Sequence, residues 1–214
     1  MTPDFDAGDF RLPAGANPVA CVDIGGTKVA VSVANAAGVQ GRVTEPTART
    51  GDEGALAAQI LRLIGQSCSS SGIGLADIAA VGVASCGPFI MQQGLIELAA
   101  PNICGGLAGP ARGLPNTWAS ARLEAPLRQH FARVRVENDG IAALEAERRW
   151  GALQQDGRPL DHCAYLTWST GIGMGLCVDG RVLRGKKRQC RPRRPQLCQR
   201  QPGRPVRLRQ CGRR

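Results

Sequence analysis

A run of mostly apolar positions begins after Pro18. Val19-Ala20-Cys21-Val22-Asp23-Ile24 is β-rich, stops at Gly25-Gly26 and resumes over 29–34, which predicts a hairpin around a Gly-Gly turn. Asn35-Ala36-Ala37-Gly38 is a second turn, and 39–44 reads as a third strand. From Asp52 the positions Leu56, Ile60, Leu63 and Ile64 recur at helical spacing, with Thr50 or Asp52 available as N-cap, and 67–74 reads as a polar loop. A short buried strand over 78–84 runs into a loop at 85–88, another strand is expected over 94–98, and 101–113 is a Gly/Pro-rich loop.

Further on, 122–131 reads as a helix interrupted near its start by Pro126. A strand over 134–136 ends at Glu137-Asn138-Asp139-Gly140, and 141–150 is helical. A strand over 163–167, a glycine loop over 169–175 and a strand over 176–178 follow, the last turning at Asp179-Gly180 into 181–183. Strands mixed with helices predict an α/β fold. Beyond Gly185 the period stops, so 186–214 is expected to be a disordered tail, and 1–17 a flexible lead-in.

Composition changes this picture in two places. With 214 residues, 43% hydrophobic and 21% charged, the chain reads as globular, and no stretch reaches the eighteen apolar residues of a membrane span. Its formal charge of +10 is not spread along it. Residues 186–214 hold 12 Lys and Arg and no acid, and 1–185 hold 15 basic and 17 acidic residues, a net of −2. The basicity therefore says nothing about the partners of the folded part. Nine cysteines without a C-x-x-C, and an acidic start without an apolar core, predict free thiols in a cytoplasmic protein and no membrane partner.

Three segments carry chemistry. In Asp23-Ile24-Gly25-Gly26-Thr27-Lys28 a strand ends in an acid, and two glycines allow close backbone approach. Backbone N–H groups and Lys28 can then face phosphate oxygens, and Asp23 can hold Mg²⁺ through water. A plain hairpin turn is the alternative. Ser169-Thr170-Gly171-Ile172-Gly173-Met174-Gly175 can wrap phosphates in the same way or be a tight hairpin. Glu137-Asn138-Asp139-Gly140 lies at a strand end, where α/β folds place ligands, and could equally cap the following helix.

In this order the three segments resemble the ROK family of the actin-like ATPase superfamily, where D-I-G-G-T-K, E-N-D and [ST]-T-G-I-G-x-G are first phosphate loop, catalytic segment and second phosphate loop. Val81 to Pro88 is similar to that family's G-[IV]-x-x-x-G-P segment, and Ala100-Pro101-Asn102-Ile103 with Gly105-Gly106 to its sugar loop. The resemblance covers about residues 18–185. It implies an actin-like (ribonuclease H-like) fold, with an N-terminal domain over 18–136 and the start of a second over 137–185. It also implies phosphoryl transfer from ATP, with Mg²⁺, to a hexose such as glucose or an N-acetylhexosamine. Asp139 would be the catalytic base, and Asn102, Asn138 and Gly87 would bind sugar. Asp23, Gly25, Gly26, Thr27, Lys28, Thr170, Gly171 and Gly173 would bind the phosphates, and Asp23 the metal through water. The full-length form is expected to be a homodimer. Cys86 and Trp168 depart from the family's usual residues at those places.

The pattern breaks after Val182-Leu183-Arg184-Gly185, where the family continues with G-N-A-G-[EH]-x-G-H, a zinc knuckle, an adenosine-binding half and a closing helix. Codons compatible with Arg188-Gln189-Cys190-Arg191, read one nucleotide later, yield Gly-Asn-Ala-Gly, and those through Gln196 then permit His, a small residue and Gly-His. Residues 207–212 likewise can hide Val-Cys-Gly-Asn-Ala-Gly. The tail is therefore expected to be frameshift-derived, the zinc site absent and this product inactive as a hexokinase. A nucleic-acid arm is the competing reading, but the tail has no aromatic residue for stacking, and no nucleic-acid partner is expected. The alternative of another class is a ROK repressor and sugar sensor, whose winged helix-turn-helix the 22 residues before Asp23 are too few to hold.

Overall fold

The computed structural model describes residues 10–108, 113–168 and 172–184. The predicted Gly-Gly hairpin is there, formed by β1 (Val19–Ile24) and β2 (Lys28–Asn35), and β3 (Gly38–Pro46) extends it. Ala20, Val22 and Ile24 of β1 point into the core, while Val29 to Ala34 of β2 are buried without alternation, as a strand covered on both faces requires. β4 (Ala80–Ser85) and β8 (Val134–Asn138) complete a five-stranded sheet in the order β3-β2-β1-β4-β8. β1, β4 and β8 run parallel.

Helix α1 (Ala55–Ser70) packs on β2 and β3 through Leu56, Ile60, Leu63 and Ile64. Its ends differ from the sequence reading. Gly54 is the N-cap and neither Thr50 nor Asp52 caps the helix, although Asp52 Oδ1 accepts the Gly54 N–H at 2.8 Å. The helix also runs through half of the polar stretch read as a loop, because Ser67 and Cys68 continue its buried face. The hydroxyl of Ser69 bonds back to the Gly65 carbonyl at 2.9 Å, and that of Ser70 to Ser67 at 3.0 Å, so these serines are satisfied within the helix.

A small sheet of β5 (Phe89–Gln92), β6 (Leu95–Leu98) and β7 (Ala121–Arg122) follows β4, with the short helix α2 (Gly105–Ala108) in the loop between β6 and β7. Helix α3 (Glu124–Arg128) is shorter than expected at both ends. Pro126 stands in its first turn, where the missing N–H is not needed.

β8 leads directly into α4 (Asp139–Trp150). After a two-stranded turn of β9 (Gln154–Gln155) and β10 (Arg158–Pro159), a second sheet is formed by β11 (Cys163–Trp168), β12 (Ile172–Val178) and β13 (Arg181–Val182). Its order is β11-β12-β13, all antiparallel, and α4 covers one face. On the opposite face the register pairs Leu166 with Met174 and Trp168 with Ile172, all exposed.

The α/β expectation holds. Cys21, Cys68, Cys86, Cys104, Cys163 and Cys177 are free, and burial pushes the Cys104 thiol up to about 11. Among the described residues no helix is long and apolar enough to cross a membrane. The expected tail over 186–214 lies outside the described residues.

Candidate active site

The last residues of three parallel strands stand in one row. Ile24 pairs in register with Ser85, and Ser85 with Asn138. The chain leaves this row at Gly25-Gly26 after β1, at Cys86-Gly87 after β4 and at Asp139 after β8. Three segments far apart in sequence therefore open at one carboxyl edge, where parallel sheets form their ligand crevices.

The sugar-loop candidate joins them from above. Asn102 lies so close to Gly26 that a Cβ there would collide with its amide nitrogen and come within 3.1 Å of its Cγ. The cradle at Gly26 exists only because the residue lacks a side chain. Asn102 Nδ2 also reaches Cys86 Sγ at 3.6 Å. Cys86 thus touches a candidate sugar ligand, and burial raises its thiol pKa.

Asn138 caps α4 and keeps its amide nitrogen beside Gly87. Its Oδ1 accepts the N–H groups of Gly140 at 3.1 Å and Ile141 at 3.4 Å, while its Nδ2 turns toward Gly87. The capping alternative and an open donor therefore coexist in one amide. Asp139 is the first residue of α4, and its Oδ1 accepts the Gly140 N–H at 2.8 Å.

Asp23, one residue before the end of β1, faces Asp139 electrostatically. Its pKa is raised by partial desolvation first and by the Asp139 charge second, against the pull of Arg42 and Lys28. The carboxyl nevertheless keeps contact with water. An exposed carboxylate beside the first glycine segment is a donor that suits a hydrated divalent cation.

The second glycine segment lies against α4. A Cβ on Gly140 would meet the Met174 backbone at 3.3 Å, and one on Gly175 would meet Leu144 Cβ at 2.7 Å, so glycines let the helix start sit flush on β12. The Gly173 N–H donates to Thr167 Oγ1 at 3.1 Å. Thr170 and Gly171 lie outside the described residues.

Residues 19–188 match the ROK family. This chain belongs to the ROK family. A glucokinase of Aeropyrum pernix is 30% identical over 171 residues, 79% of this chain and 46% of that protein. A glucokinase of Pyrobaculum calidifontis is 36% identical over 110 residues, 51% of this chain and 30% of that protein. The ROK chain thus spans less than half the length of these curated relatives. Among solved structures, a ROK hexokinase from Thermus thermophilus has TM-score 0.58 and 29% identity, covering 79% of this chain and 49% of that one. A ROK glucokinase from Streptomyces griseus in complex with glucose and AMPPNP has TM-score 0.58 and 25% identity, covering 79% and 47%. The fold is that of the actin-like ATPases.

Three residues around the ROK site carried no motif signal. Arg49 donates to the Gly26 carbonyl, Asn116 bonds Gly105 and Ile103 beside the sugar loop, and Arg184 bonds Glu137. Arg49 and Asn116 reach backbone groups and Arg184 a carboxylate, each through one side chain distant in sequence, for which sequence has no period.

Proposed function

We propose that this ROK chain carries the sugar-binding and phosphate-binding side of an ATP-dependent hexose kinase, acting on glucose or an N-acetylhexosamine. The observation that supports the reading is the row Ile24–Ser85–Asn138: Gly26, Gly87 and Asp139 follow it at one sheet edge, and Asn102 lies against Gly26. The glucokinase relatives and the glucose-bound ROK structure support the choice of substrate class.

In this reading Asn102, Asn138 and the Gly87 backbone hold sugar hydroxyls, since amides both donate and accept. Asp139 takes the proton of the attacking hydroxyl, whose oxygen bonds the γ-phosphorus as the bond to the β–γ bridging oxygen breaks and ADP leaves. The backbone of Gly25 to Thr27 with Lys28, and Gly173 with Thr170 and Gly171, align the phosphates. Asp23 is the residue that would hold Mg²⁺ through water. When bound, the ion offsets phosphate charge, and the rest of the catalysis is positioning. The division into one domain over 18–136 and the start of another over 137–185 belongs to the same proposal.

Isothermal titration of the purified chain with glucose and with N-acetylglucosamine tests the reading. One of the two should bind, and Asn102→Ala should weaken that binding by about tenfold, the worth of a hydrogen bond or two. Failure of both sugars to bind would overturn it.

A further inference from the structure

The segment between β3 and α1 belongs to none of the motifs, yet it touches both loops of the site. On one side Thr47 Oγ1 donates to the Gly25 carbonyl at 2.8 Å, the Thr47 N–H donates to Thr27 at 3.1 Å, and the Arg49 guanidinium donates to the Gly26 carbonyl. All three residues of the turn between β1 and β2 are tied down in this way. On the other side Asn116 Nδ2 donates to the Arg49 carbonyl at 2.9 Å and to Ile103 at 3.0 Å, while its Oδ1 accepts from Gly105 at 2.7 Å and Trp118 at 3.2 Å. Trp118 Nε1 adds a bond to the Gly51 carbonyl at 3.0 Å. Thr47, Asn116 and Trp118 are buried. Asn116 spends its full amide capacity of two donors and two acceptor sites on these four partners.

We propose that residues 47–51 form a strap that sets the separation between the first phosphate loop and the sugar loop, with Arg49 and Asn116 as its positioning residues. The ligands assigned to the two loops rest on the hexose-kinase reading, whereas the strap itself rests on the bonds above. Asn102 and Gly26 meet with no slack, so a small shift of either loop changes where a sugar hydroxyl meets a phosphate. Misplacement by about 1 Å can cost a reaction on the order of 10²-fold, which gives the strap a functional weight beyond its stability. Burial also makes it stiff: a released Asn116 would leave backbone groups unpaired.

The test compares the full chain with Thr47→Val and Arg49→Ala, which cut the phosphate-loop side, and with Asn116→Asp, which sets a carboxylate against two carbonyls. Thr47→Val keeps the side-chain shape and Arg49 is only half-buried, so both should fold even if Asn116→Asp does not. Hydrogen exchange without ligand should speed up by about tenfold or more in 101–106 for each variant, the effect of losing about one to two hydrogen bonds. The amides of α1 and β1 should stay as slow as in the parent. Arg49→Lys, which keeps a donor, should restore part of the protection. Glucose affinity should fall in parallel, and Arg49→Ala with Asn116→Asp together should do no more than the worse of the two, since both cut one connection. Unchanged exchange in 101–106, or acceleration spread equally over α1 and β1, would overturn the strap. A parent chain that binds neither glucose nor N-acetylglucosamine while Arg49→Ala still loosens 101–106 removes the kinase reading and supports the strap.

Discussion

Arg184 donates from Nε to Glu137 Oε2 at 2.7 Å and from Nη2 to Glu145 Oε1 at 2.8 Å. One guanidinium, just beyond β13, thereby ties Glu137 near the end of β8 to the half-buried Glu145 of α4, on either side of Asp139. Its planar fork suits two carboxylates at once, which an ammonium cannot match.

Arg184→Ala should therefore lower unfolding stability by about 1–2 kcal/mol, the range for charge-assisted bonds discounted for partial exposure. Arg184→Lys should recover less than half of the loss. Urea titration at low and high salt measures both, and a loss independent of salt would argue against the ion pair as the cause.

Asp139→Asn should leave the fold and glucose binding intact, because the amide can still accept the Gly140 N–H that the carboxylate accepts at 2.8 Å. In any form of the chain that turns sugar over, the rate should drop by at least about 10²–10⁴, the usual share of a general base. A coupled ADP assay decides, and turnover at the parent rate would remove Asp139 from its assigned role.

Asp23 makes stability depend on pH with a definite sign. Its pKa is raised in the folded chain, by desolvation first and Asp139 second, above the ordinary 3.8. The folded state then holds the proton more tightly than the unfolded one, so the ionised group costs stability above its folded pKa. That cost fades as pH falls toward 3.8. Asp23→Asn should thus melt higher than the parent at neutral pH, by a small margin because the group is wet, and the gain should vanish in acid. Mg²⁺ should stabilise the parent more than the variant. A melting series over pH, with and without Mg²⁺, checks both statements.

The free face of the second sheet predicts association. Leu166, Trp168, Ile172 and Met174 are 60%, 83%, 69% and 58% exposed and lie side by side in the β11–β12 register. A contiguous apolar patch of this kind drives self-association. Trp168→Lys should reduce dye binding and the concentration dependence of sedimentation, with little change in unfolding stability, since an exposed side chain loses no packing. Equal sedimentation of parent and variant at high concentration would contradict it.

Periodicity and turn chemistry carried a large part of the fold. The β1–β2 hairpin, the buried stripe of α1, the strand before Glu137 and β11 are written in local order, because each buries one face or turns at a glycine. β12 departs from the expectation: it begins at Ile172, inside the 169–175 stretch expected as a glycine loop, because 172–175 pair with 165–168 of β11. The order of D-I-G-G-T-K, E-N-D and the glycine segment is equally legible, and all three lie within the residues 19–188 that match the family. Where local order is weak, tertiary contacts decide the element. The serines ending α1 look like a loop and become helix because Ser67 and Cys68 face the core. Strands as short as β7 leave no period to read.

The sequence by itself determined which backbone segments can approach a ligand, since glycine, Asx and acidic residues act through local geometry. Only the tertiary structure decided that Ile24, Ser85 and Asn138 end in one row, that Thr47, Arg49 and Asn116 bond to the loops beside it, and that Arg184 ties Glu137 to Glu145. Parallel strands meet through long connections, and a lone arginine or asparagine finds its partner only when the sheet has set the register. That register comes from packing summed over the whole core, which no local stretch of sequence contains.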